Sequence, residues 1–113
     1  MSARKTINEK FIGEQAATLK KILDILNIEP NNKDSYLYKE QIDKKTIEMN
    51  IIYEDIQKYY CSTVWTTIKN AKDKNFAIIR NVLKYHGFVL ISRTISIKTG
   101  KRVQQYKIIT KME

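Results

Sequence analysis

The chain has 113 residues, enough for one domain with a single modest core. With 42% apolar and 29% charged residues, 3 Gly and 1 Pro, it is neither collagen-like nor low-complexity nor wholly disordered. The net charge of +9 is one-sided: residues 1–56 hold 9 Lys/Arg against 10 Asp/Glu, whereas residues 57–113 hold 12 against 2, Asp73 and Glu113.

The first periodic stretch runs from about residue 9 to 27. Ile12, Ala16, Leu19, Leu23 and Leu26 recur at helical steps, with Ile22 and Ile25 widening the stripe. Glu29-Pro30-Asn31-Asn32-Lys33 stops it, because proline cannot continue a helix. Asp34 or Ser35 is placed to cap a second helical region over 36–60, with Tyr38, Ile42, Met49, Ile52, Ile56 and Tyr59 or Tyr60 as its stripe. Lys45 interrupts that stripe, so the region is one long helix or two pieces hinged near 46–50. Ser62 caps a short helix carrying Val64, Trp65, Ile68 and Ala71, and Asp73-Lys74-Asn75 is a polar break. Asn75 is the expected cap of the next helix, which turns Phe76, Ile79, Val82 and Leu83 inward and ends at Gly87.

The period then changes from 3.6 to 2. Residues 88–97 and 103–110 are β-branched alternating runs around Gly100, which predicts an antiparallel hairpin. Placing Ile91, Ile95 and Ile97 on one face with Tyr106 and Ile108 requires a loop of two or four residues. A two-residue Thr99-Gly100 turn satisfies this and gathers Lys98, Lys101 and Arg102 at the tip.

A helix, a short helix from Ser62, a turn, a second short helix ending at Gly87 and a basic-tipped hairpin form a familiar order. Over roughly residues 50–110 it resembles the winged helix-turn-helix superfamily of DNA-binding proteins. The resemblance is one of architecture, with Asn75-Phe-Ala-Ile-Ile-Arg-Asn-Val-Leu-Lys-Tyr-His-Gly-Phe-Val-Leu90 as its most recognisable piece. It implies an α+β, mostly helical fold in which N-terminal helices precede a winged helix-turn-helix with a C-terminal β-hairpin wing. Residues 1–33 would be an N-terminal helix and linker, and 34–113 the winged-helix domain, in one compact unit overall. It further implies a helix in the major groove and a wing on the backbone or minor groove. A second register is open, in which Ser62-Thr63-Val64-Trp65-Thr66-Thr67-Ile68 begins the recognition helix and 76–86 is an extra packing helix. The later register is preferred because the wing follows Gly87 at once.

In the preferred register the outward face holds Ala77, Arg80, Asn81 and Lys84. Arg can bond guanine O6 and N7, and Asn can bond adenine N6 and N7. Lys69, Lys72 and Lys74 precede this helix, and Asn75 with the free N–H groups of the helix start could receive a phosphate. Lys98, Lys101 and Arg102 suit backbone contacts.

Other chemistries have little material. One cysteine, Cys61, and one histidine, His86, cannot make a disulfide or a zinc site, and there is no Gly-rich phosphate loop or acidic cluster in the basic half. His86 at a helix end reads as a capping or packing residue, and Cys61 as a partly buried inert thiol. Tyr38, Tyr53, Tyr59, Tyr60 and Tyr106 read as core. No enzyme, cofactor or metal is expected. No apolar run reaches the ~18 residues of a membrane span, and Met1-Ser2-Ala3-Arg4-Lys5-Thr6 does not open a secretory signal. The expected setting is therefore cytoplasmic: nucleoid-associated, or the host cell interior for a viral chain. Two functions fit. One is a sequence-dependent double-stranded DNA-binding regulator, a homodimer built on the near-neutral helices at 9–28 and 36–60. The other is an interaction or assembly protein whose winged fold binds RNA or a protein, in a ribonucleoprotein, replication complex or virion.

Overall fold

In the computed structural model, which describes residues 10–111, the N-terminal periodicity becomes helix α1 (Ile12–Leu26). Its buried face is rotated from the expected stripe. Gln15, Thr18, Ile22 and Leu26 point inward, while Ile12 is 58% exposed. Polar residues can face the core because their bonds are made there. Gln15 Nε2 donates to the Tyr59 carbonyl (2.7 Å), and Thr18 Oγ1 donates to the Glu14 carbonyl (2.9 Å).

The next segment departs from the helical expectation at its start. Neither Asp34 nor Ser35 caps a helix; Leu37–Tyr38 is a two-residue strand, β1. Asn31 explains why. With φ of 65°, it donates its backbone N–H to the Ile108 carbonyl and accepts from the Thr110 N–H through Oδ1, both at 2.8 Å. The linker is thereby tied to the C-terminal strand, and Leu37, 2% exposed, arrives opposite Tyr106. Tyr38, expected in the core, is 38% exposed.

The long helical region is two pieces, α2 (Lys39–Asp43) and α3 (Thr46–Tyr59), broken at Lys44 and Lys45. Asn75 fills the break. Its buried amide donates to the Ile42 carbonyl (3.1 Å) and Thr46 Oγ1 (3.1 Å), with a longer contact to the Asp43 carbonyl (3.4 Å). Helices α4 (Ser62–Lys69) and α5 (Lys74–Tyr85) follow close to expectation. The caps differ, since Cys61 precedes α4 and Asp73, not Asn75, caps α5 by accepting the Phe76 N–H (3.3 Å). Gly87 has φ of 84°, the left-handed value that ends α5.

Strands β2 (Phe88–Ser96) and β3 (Arg102–Thr110) form the predicted antiparallel hairpin, and the sheet order is β1-β3-β2. The fold is thus α+β, with five helices and a three-stranded antiparallel sheet among the described residues.

The hairpin register corrects the sequence reading. Phe88 pairs with Thr110, Ser92 with Tyr106 and Ser96 with Arg102. Ile97 N–H donates to the Lys101 carbonyl, and Gly100 N–H to the Ile97 carbonyl with φ of 83° at Gly100. The loop is therefore three residues, 98–100, with glycine at its left-handed position. That one extra residue reverses the first strand relative to the second. Tyr106 and Ile108 are buried as expected, but they share their face with Ser92 and Leu90. Ile91 lies on the opposite face, 41% exposed, beside Lys107.

One core joins all of this. Ile22 and Leu26 of α1 pack in the same cluster as Ile56, Ile68, Leu83 and Ile108. The boundary drawn at residue 33 therefore separates two parts of a shared core.

Candidate nucleic-acid interface

Helix α5 spends one side on the core, where Ile78, Ile79, Val82 and Leu83 are at most 1% exposed. Its opposite side presents Ala77, Arg80, Asn81 and Lys84 at helical spacing, with Arg80 and Lys84 exposed and Ala77 and Asn81 half-buried. Among the described residues Arg80 makes no ion pair. Asn81 Nδ2 donates back to the Ala77 carbonyl (2.7 Å), which fixes the amide along the helix and, among the described residues, leaves its carbonyl oxygen and second N–H unspent.

Arg80, Asn81 and Ala77 line an open groove of about 400 Å³ with Thr67, Lys39 and Tyr106. Thr67 is on α4, so the two sequence registers meet in space: residues proposed for each border the same groove. Along α4 itself, Ser62, Thr63, Thr66, Thr67 and Asn70 form a shallow hydroxyl- and amide-rich depression. Lys39 and Tyr106 were not foreseen here. Lys39 enters because β1 docks α2 beside α5, where its ammonium lies 5.4 Å over the Phe76 ring and pairs with Asp43 (2.9 Å) and Asp73 (3.9 Å). The hydrogen bond to Asp43 raises the Lys39 pKa above its ordinary value. Tyr106 closes the groove floor by packing on Phe76, with ring centroids 4.8 Å apart. Its place in the period-two pattern signalled a core residue, and its hydroxyl nevertheless reaches Gln104 (2.8 Å).

The remaining predicted cations are on the surface. Lys69, Lys72 and Lys74 are exposed around the α4–α5 turn, and Lys98, Lys101 and Arg102 are exposed at the hairpin tip. Asn75 is the exception. It is 7% exposed with its amide turned inward, so its side chain does not face a ligand at the helix start. The Asp73 carboxylate occupies that position and puts a negative charge where a phosphate was expected.

His86 belongs to a separate packed corner. Its Nε2 lies 2.7 Å from the Tyr60 hydroxyl, which itself donates to the Gln15 carbonyl (3.0 Å). With that proton committed, the Nε2–H tautomer of His86 completes the chain. Burial lowers the His86 pKa below 6.5, with the Gln15 backbone opposing it, and burial raises the Tyr60 pKa. Among the described residues no cluster of three or more His, Cys, Asp or Glu is placed to hold a metal ion, and no helix is long and apolar enough to cross a membrane. Comparison with known proteins finds no matching family model, curated protein or solved structure.

Proposed function

We propose that this protein binds double-stranded DNA in the manner of a winged helix-turn-helix regulator. In this reading α5 lies in the major groove and the β2–β3 tip lies on the backbone. One observation carries it. Among the described residues, Lys21, Lys39 and Lys45 form ion pairs, whereas no Lys or Arg from residue 57 onward does. Among the described residues the basic half therefore holds its charge unneutralised, and the same half carries the exposed Arg80 and the half-buried Asn81. A polyanion gains affinity from such a surface by releasing its condensed counterions. Lys69, Lys72 and Lys74 then serve as phosphate contacts at the α4–α5 turn, and Lys98, Lys101 and Arg102 do so from the wing.

The test is direct competition for the full chain between duplex DNA, duplex RNA and single strands at matched length and salt. Duplex DNA is expected to win, with log affinity falling linearly against log salt. Equal or tighter binding of RNA or single strands overturns this reading in favour of an assembly protein.

A further inference from the structure

The two edges of the sheet are treated very differently. On the β1 side the strand is two residues long, and Asn31 takes up the Ile108 carbonyl and the Thr110 N–H beyond it. Short strands and capping residues are ordinary ways of blunting an edge. The β2 side has neither. β2 runs for nine residues in unbroken register with β3, without a bulge, and contains no Pro or Lys. Its inter-strand bonds use odd-numbered pairs: Lys111 N–H donates to the Gly87 carbonyl at one end, and Ile97 N–H to the Lys101 carbonyl at the other. By the alternation of an antiparallel ladder, Leu90, Ser92, Thr94 and Ser96 turn their N–H and C=O groups to the outer edge, along which no strand pairs among the described residues.

The one charge on β2 does not guard that edge. Arg93 folds back across its own sheet, its guanidinium carbon 4.1 Å from the Tyr36 ring centroid and its Nε donating to Gln105 Oε1 at 3.0 Å. What remains is small polar side chains on one face, Ser92, Thr94 and Ser96. The other face bears isoleucines, of which Ile91 is 41% and Ile97 37% exposed.

We propose that β2 is a homodimerisation edge, pairing antiparallel with β2 of a second copy about a two-fold axis at Thr94. This register sets Thr94 opposite its own copy, Ser92 opposite Ser96, Ile91 opposite Ile97 and Arg93 opposite Ile95. The two-fold forms this Ile91–Ile97 pair twice, once on each side of the axis, so both exposed isoleucines of each copy are covered. Centring on Arg93 instead would oppose two guanidinium groups, and centring on Ser92 would place Ile91 against Arg93 and leave Ile97 unpaired. Among the described residues, the part of β2 that packs against the helical core is its Phe88 and Leu90 end, whereas the axis lies toward the tip. The product is a six-stranded sheet ending on both sides in the two-residue β1, so association stops at two copies. The proposal is independent of the nucleic-acid reading.

Sedimentation velocity of the full chain, without nucleic acid, tests it. A concentration-dependent dimer is expected, weakened at least roughly tenfold by Thr94→Pro, which removes only an outward N–H, and by Thr94→Lys. In a Cys61→Ser background, Thr94→Cys is expected to form a covalent dimer on mild oxidation, because facing residues of a hydrogen-bonded pair lie about 5.5 Å apart. Ser92→Cys is expected not to do so. A monomer throughout the micromolar to millimolar range overturns the proposal. So does a dimer indifferent to both Thr94 substitutions and not cross-linked through Thr94→Cys, which would move the interface to a face such as that of Ile47 and Ile51 on α3.

Discussion

Replacing Asn75 separates a structural role from a ligand-binding one at a single position. Its amide makes two 3.1 Å hydrogen bonds, to the Ile42 carbonyl and Thr46 Oγ1, and is 7% exposed. Each such bond is worth about 1 kcal/mol net, and the void left by the amide adds to that, so Asn75→Ala is expected to cost about 2–3 kcal/mol. The larger orphaning penalty does not apply. Ile42's carbonyl keeps the Lys45 N–H (3.1 Å), and Asp43's carbonyl keeps the Thr46 hydroxyl (3.2 Å). At roughly 4–8 °C per kcal/mol for a domain near this size, Tm should fall by roughly 8–24 °C. Urea denaturation followed by far-UV circular dichroism should give a lower midpoint at unchanged m. Asn75→Asp should be worse at neutral pH, because a carboxylate would face carbonyl oxygens, and should recover partly in acid as it gains a proton to donate. The folded Asn75→Ala protein should keep its nucleic-acid affinity and salt slope. A stability loss under about 0.5 kcal/mol, the level of an ordinary surface change, would contradict a buried donor role for Asn75, as would weaker binding at unchanged stability.

Arg80→Ala should cost about 1–3 kcal/mol of discrimination between preferred and random duplex, measured by fluorescence anisotropy. Lys101→Ala with Arg102→Ala should instead weaken all sequences alike and flatten the salt slope by roughly two units. For His86, burial holds the folded pKa below 6.5, so both folded and unfolded states are neutral above that value. As pH falls through 6.5 the unfolded chain binds the proton first, and stability should decline until the lower folded pKa is passed. Denaturation midpoints across this window should show the slope, and His86→Gln should flatten it. Deleting residues 1–33 removes Ile22, Leu26 and Ile28, which are at most 6% exposed, so the remainder should lose its cooperative unfolding transition. Native-like amide dispersion in the truncated chain would contradict the shared core.

Elements whose signal is local were legible in the amino-acid sequence. The period-3.6 runs became α1, α3, α4 and α5, Gly87 and Gly100 took their left-handed positions, and the change to period two became the hairpin. The outward side of α5 was legible for the same reason: once Ile79, Val82 and Leu83 are inward, Arg80 and Lys84 must be outward. What the sequence left open depended on contacts between distant segments. A two-residue strand carries no period, and β1 exists because Asn31 and Leu37 meet β3 some seventy residues later. The hinge in 36–60 was decided by Asn75, whose amide finds carbonyls some thirty residues away, so a residue that looked like a cap is a buried bond donor. In α1 the helical period was right, but the face turned inward was set by the Tyr59 carbonyl that Gln15 reaches. The hairpin register turned on whether the loop has two or three residues, which alternation in the strands does not encode. Lys39 reached the α5 groove by the same route, carried there when β1 pairing docked α2 against the helix.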